Sequence, residues 1–99
     1  MSQRKTNKDL EAVLSRINDA TGGASEPWTK DAAGRYRANV GTYVLDYCYG
    51  GVSLAQLCTE GGGDRDITLR GTTKETYYRM KAFLRGLEAA AGNEHNRQP

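Results

Sequence analysis

Histidine is nearly missing from this chain: His95 is the only one. A serine or cysteine nucleophile normally needs a base held within hydrogen-bond reach. No second residue stands ready to work with His95, so no catalytic triad is expected. Cysteine is as scarce. Cys48 and Cys58 are too few for a disulfide framework, and the spacing to one distant histidine lacks the clustering that zinc sites show. Both are expected as buried thiols. Long apolar runs are missing too, since none approaches the roughly 20 residues of a membrane helix. The basic start, MSQRKTNKDL, has no hydrophobic segment behind it and so does not read as a secretory signal. Nor is there an excess of one charge. Fourteen Lys and Arg stand against 12 Asp and Glu, too balanced to announce a nucleic-acid partner by itself. These gaps predict a cytoplasmic protein with no membrane partner, no metal, no cofactor and no enzymatic activity.

What is present is a patterned chain of single-domain length, 99 residues. Leu10, Val13, Leu14 and Ile17 fall at i, i+3, i+4 and i+7, with Ala20 extending the stripe. Thr6 and Asp9 form an N-terminal cap pair and Gly22-Gly23 a stop, which predicts an amphipathic helix over 6–21. GGASEP at 22–27 is a linker. KDAAG at 30–34 reads as a turn between a short strand beginning near Trp28 and a longer β-rich stretch from Arg35 to Tyr49. Gly41 marks a bulge or tight bend inside that stretch.

YCYGG at 47–51 predicts a hairpin whose central residues are Gly50 and Gly51, because glycine adopts positive φ at little cost. In that register Tyr49 faces Val52, Tyr47 faces Leu54, Leu45 faces Gln56 and Tyr43 faces Cys58. Cys48 then faces Ser53 on the other side, which keeps the two cysteines apart. Tyr43 and Tyr47 are assigned to the core, while Tyr36 and Tyr49 lie nearer the turns. Residues 53–60 keep a second reading, a short helix capped by Ser53 and Gln56.

EGGGD at 60–64 is the next turn, followed by a last strand at 66–70. Thr72 and Glu75 form a capping box for a final helix over about 73–91, with an apolar arc of Tyr77, Met80, Phe83, Leu84 and Leu87 and a stop at Gly92. The expected fold class is α+β: helix, three- to four-stranded antiparallel meander, helix, with both helices packed on one face of the sheet. The single domain would occupy 6–91, with a disordered arm at 1–5 and a flexible polar tail at 92–99.

Two surfaces stand out as candidate sites. Around the Gly-rich turn, Glu60, Asp64, Arg65 and Asp66 cluster, and three carboxylates there could hold a hard cation or act as acid and base. Their spacing matches no ion-binding loop, and acidic residues are common at exposed turns. GGG at 61–63 could cradle a phosphate through its amides, but it lacks the Lys-Ser/Thr of a P-loop. On the final helix, Lys74, Lys81 and Arg85 share a narrow arc opposite the apolar one at 100° per residue, with Tyr78 beside them and Arg70 ahead of the helix. Such a stripe suits phosphates or an acidic protein surface, and it also suits a plain solvated helix face. The helix–sheet–helix order is that of double-stranded-RNA-binding domains, although TTKETYYRMK carries only Lys74 where a compact lysine cluster would be expected.

EPWTKDAAGRYRANVGTYVLDYCYGG and EGGGDRDITLRGTTKETYYRMKAFLRGL, together spanning about residues 26–88, resemble small uncharacterised proteins of actinobacterial bacteriophages. The shared features are EPWT, GRYRANVG, YGG, GGGDRD and TKETYYRMKAFLRG. The resemblance implies a phage accessory protein acting in the host cytoplasm, and it carries over no functional residue. The expected function is therefore a non-catalytic interaction module. It would bind a host or phage protein through the sheet edge, the 60–66 loop or the basic helix face. The second reading is a nucleic-acid or nucleotide binder using Arg70, Lys74, Tyr78, Lys81 and Arg85. An open sheet edge also makes a homodimer a natural expectation.

Overall fold

Local capping signals start both helices. The computed structural model describes residues 4–24 and 26–96, so parts of the expected N-terminal arm (1–3) and C-terminal tail (97–99) lie outside the described residues. Helix α1 spans Asn7–Thr21. The Thr6 backbone N–H donates to Asp9 Oδ2 at 2.8 Å, and the Thr6 hydroxyl reaches the same oxygen at 3.2 Å. Gly22 closes the helix in the left-handed region at φ 74°, as only glycine does cheaply. Leu10, Val13 and Ile17 are buried and Leu14 half-buried. Ala20 is exposed, so the stripe is shorter than expected, because Ala20 falls at the margin of the apolar arc at 100° per residue.

Helix α2 spans Thr73–Asn96. Its capping box is reciprocal: Thr72 N–H donates to Glu75 Oε1 at 2.9 Å, and Glu75 N–H to Thr72 Oγ1 at 3.1 Å. The helix runs through Gly92 rather than ending there. A lone glycine inside a helix costs about 1 kcal/mol and does not by itself stop it.

The strands are β1 (Trp28–Lys30), β2 (Tyr36–Ala38), β3 (Tyr43–Cys48), β4 (Gly51–Leu57) and β5 (Asp64–Asp66). The fold is α+β as expected, but the strands divide into a two-stranded sheet, β1-β2, and a three-stranded sheet, β3-β4-β5, both antiparallel. The division falls at the bend around Gly41, whose φ is 95°. There the chain turns to bond the end of β4: Gly41 N–H donates to the Leu57 carbonyl at 2.8 Å, and Leu57 N–H to Thr42 at 2.9 Å. The last strand lies earlier than 66–70. Only 64–66 pair regularly, after which Ile67 and Thr68 both donate to the Leu54 carbonyl and the ladder lapses.

The hairpin register also differs. Tyr49 and Gly50 are the central residues, with φ of 49° and 75°, so Cys48 faces Gly51, Tyr47 faces Val52, Leu45 faces Leu54 and Tyr43 faces Gln56. The turn comes one residue early because a tyrosine, not the second glycine, takes a positive φ. Every pairing moves by two, which preserves sidedness. Residues 53–57 are strand, which settles the helix alternative against it. Cys58 is exposed and Cys48 half-buried, so neither is the buried thiol expected; both are free. Tyr43 is in the core, its ring 5.5 Å from that of Phe83, whereas Tyr47 is 52% exposed. Tyr47 sits at the hairpin tip, next to Asn7 and Thr73, where both helices begin and little remains to cover it.

Leu10, Val13 and Ile17 of α1, Tyr43, Val52 and Leu54 of the sheet, and Met80 and Leu84 of α2 form one core. Burying a side chain such as Leu54 contributes about 1.5–3 kcal/mol. Thr76 is buried among them and donates its hydroxyl to the Val52 carbonyl at 2.8 Å, which docks α2 on β4. The two helices lie side by side and run in the same direction. Lys5 meets Tyr77 at one end and Arg16 meets Glu88 at the other, both contacts joining residues 72 apart.

Candidate functional site

Several polar side chains on the flank formed by β1, β2 and the 58–64 loop are bonded to the chain itself, Asp31, Arg37, Asn39 and Glu60 among them. Asp31 Oδ1 accepts the N–H groups of Ala33 and Arg35, each at 2.9 Å, which shapes the β1–β2 turn. The Arg35 amide bond is the main reason Asp31 stays below the usual carboxylate range. Arg37 bridges Asp31 at 3.2 Å and Glu60 at 2.8 Å, and so ties the hairpin to the loop. These three residues wall a cleft of about 440 Å³ that also touches Gly22 and Gly23 at the end of α1.

Three of the four candidate loop residues are engaged in the same way. Glu60 is held by Arg37, and Arg65 gives two bonds to Gln56 Oε1, at 3.2 and 2.8 Å. Asp66 accepts the Ser53 hydroxyl at 3.3 Å, and Asp64 stands exposed on β5. Nothing gathers these carboxylates around a common point, and no group of three or more His, Cys, Asp or Glu suited to a metal occurs among the described residues.

The glycine tract has a structural use. Gly62 has φ 98°, and a Cβ there would stand 2.7 Å from the Trp28 ring, so the indole packs closely against it. Gly62 N–H donates to the Thr59 carbonyl at 3.0 Å and Gly63 N–H to Thr59 Oγ1 at 2.8 Å. Those amides already have acceptors, which argues against a phosphate cradle.

The sheet edge is partly closed. A two-residue hairpin turn makes Cys48–Gly51 the closing hydrogen-bonded pair, so the backbone groups of Tyr43, Leu45 and Tyr47 point away from β4. Asn18 takes up those of Tyr43: its Oδ1 accepts Tyr43 N–H at 2.8 Å and its Nδ2 donates to the Tyr43 carbonyl at 3.0 Å. On this β3 edge, among the described residues, Leu45 and Tyr47 remain open to a further strand.

The basic residues separate into two groups. Arg70 leaves the helix stripe. Its guanidinium bonds the Asp46 carboxylate at 2.9 Å and the Asp46 carbonyl at 3.1 Å, and its methylenes pack against Gly51. Arg79 is engaged as well, with the Leu69 carbonyl at 3.1 Å and Glu75 at 4.0 Å. Lys74, Lys81 and Arg85 form no ion pair among the described residues. Lys74 and Arg85 are exposed and Lys81 is half-buried. Tyr78 is 55% exposed and meets Tyr77 edge-on, with ring centroids 5.3 Å apart.

One contributor to this surface was missed from sequence. Lys5 Nζ lies 4.4 Å from the centre of the Tyr77 ring and 6.0 Å from that of Tyr78, a cation–π arrangement that brings Lys5 beside the first turns of α2. The signal available was the basic start of the chain, but the parallel helix packing that joins it to α2 is a long-range fact. Three of the carboxylates nearby have other tasks. Asp9 and Glu75 hold the helix starts, and the backbone N–H bonds they accept from Thr6 and Thr72 are the main cause of their lowered pKa values. Glu88 is bound to Arg16 at 3.3 Å.

Among the described residues no helix is long and apolar enough to cross a membrane. No family model matches the chain, and neither the curated proteins nor the solved structures contain a significant match to it.

Proposed function

We propose that this chain is a non-catalytic interaction module whose working surface is the outer face of the paired helices. It would be an accessory protein of the kind its phage-like motifs imply, acting on a host or phage partner. One observation carries this reading: among the described residues Lys74, Lys81 and Arg85 stand unpaired in a row, while Glu60, Arg65, Asp66 and Arg70 are bonded within the chain. A charged group held by its own neighbours must break those bonds before it can bind a partner, and an unpaired one need not. The partner is therefore a surface of opposite charge, recognised first by electrostatic attraction.

Affinity capture from host extract, with wild-type protein and the Lys74→Gln/Lys81→Gln/Arg85→Gln variant, tests the reading. The expected result is a partner held by the wild type and lost by the variant while the melting temperature is unchanged. Equal capture by both would overturn it. A Glu60→Gln or Asp66→Asn change is expected to leave capture intact.

A further inference from the structure

Building on that reading, we infer that the partner is the phosphate backbone of a nucleic-acid duplex, held without regard to sequence across both helices. Three observations favour phosphates over an acidic protein. Lysine supplies four of the surface's five cations: Lys5, Lys8, Lys74 and Lys81, with Arg85 at the far end, while the exposed Glu11 and Asp19 lie further along α1. Lysine is depleted in protein–protein interfaces, whose hot spots are Trp, Tyr and Arg in desolvated pockets, whereas it serves phosphate as a mobile point charge. The face also lacks an apolar centre. Among the described residues Tyr78 is its one exposed aromatic, while Met80 and Leu84 are turned into the core.

The third observation is geometric. Lys74 to Arg85 extends about 16 Å along α2 at the rise of an α-helix. The Lys5–Tyr77 contact and the Arg16–Glu88 pair set α1 beside it, pointing the same way. Packed helices lie about 8–10 Å apart, so Lys5 and Lys8 form a second row of cations. Two rows at that spacing, on flexible side chains, match the two phosphate strands that border a groove about 12 Å wide or less. A single-strand binder instead needs a run of exposed aromatics on which successive bases stack, and this face offers only one. Both helix starts already carry acidic caps in Asp9 and Glu75, so the contact rests on the side-chain cations and not on the helix ends.

The test is a fluorescence-anisotropy titration of the full chain with a short mixed-sequence DNA duplex, an RNA duplex of the same sequence and the matching single strand. About four phosphate contacts predict roughly a hundredfold loss of duplex affinity between 50 and 200 mM salt. The Lys74→Gln/Lys81→Gln variant should bind every sequence more weakly and lower the salt slope by about two. Lys5→Gln should lower it by about one, which a reading confined to α2 does not predict. The two duplexes separate DNA from RNA as the source of the same backbone chemistry. Tighter binding of the single strand, or duplex binding that neither variant alters, would overturn the inference. If the duplexes bind no better than at background while the α2 variant still loses a nuclease-resistant protein partner, this inference fails and the proposed function stands. If capture and titration both ignore the variants, both fail.

Discussion

The flank built from β1, β2 and the 58–64 loop differs from the outer face of the helices in what its polar groups do. On the flank, Arg37 is clamped by Asp31 and Glu60, Asn39 bonds Thr29 Oγ1 at 3.0 Å and the Glu26 carbonyl at 2.7 Å, and Thr59 closes the glycine tract. On the helical face, Lys74, Lys81 and Arg85 have no such partners among the described residues. A folded chain gains a little stability from charges it pairs internally and keeps the others free for partners. The same residue types therefore carry opposite expectations on the two sides: substitution on the flank should lower stability, and substitution on the helices should lower binding.

The largest expected effect is at the junction of the flank with the core. Asn18 is 7% exposed and satisfies both backbone groups of Tyr43, so Asn18→Ala strands a buried donor and acceptor and should cost about 2–3 kcal/mol in denaturant unfolding. Asp19, next along α1 and exposed, is the control and should change little. Gly62→Ala comes next. A side chain at φ 98° with Trp28 at 2.7 Å should cost about 1–3 kcal/mol and alter Trp28 fluorescence, since the indole must move. A neutral result there would mean the glycine tract does not support the indole.

Arg37→Gln should give a smaller drop in melting temperature, as exposed ion pairs contribute little. The matching change on the other side, Lys81→Gln, should give none, or a slight rise from relieved repulsion with Lys74 and Arg85. Equal losses would erase the contrast between the two regions. The smallest effect is acid sensitivity. Asp9, Asp31 and Glu75 are all held below ordinary carboxylate values by backbone N–H bonds. A depressed folded pKa adds stability above the unfolded value and loses it as pH falls through the folded one. Melting temperature should thus stay level from neutrality to about pH 5 and decline toward about pH 3. Glu75→Gln, which removes one of the three titrating carboxylates, should shrink part of that decline.

Legibility from sequence followed the distance between the residues involved. Thr6 with Asp9 and Thr72 with Glu75 are three apart, and both helix starts were readable because those bonds depend only on local geometry. The sidedness of β3 and β4 was readable from alternation, yet the register was not, because Tyr49 accepts a positive φ usually left to glycine. The packing of Trp28 on Gly62, the Arg37–Glu60 bridge and the Asn18–Tyr43 pair all join segments far apart in the chain. The α2 stripe was visible as a helical arc. Its separation from Arg70 and its extension to Lys5 depended on tertiary packing that no periodicity encodes.

Backbone amide chemical shifts, followed by NMR as a short nucleic-acid duplex is added, test the central claim most directly. The account predicts that the largest movements cluster at residues 4–8 and 74–85, with 58–66 unmoved. Movements confined to the 58–66 loop or to the hairpin tip at 47–51 would contradict it.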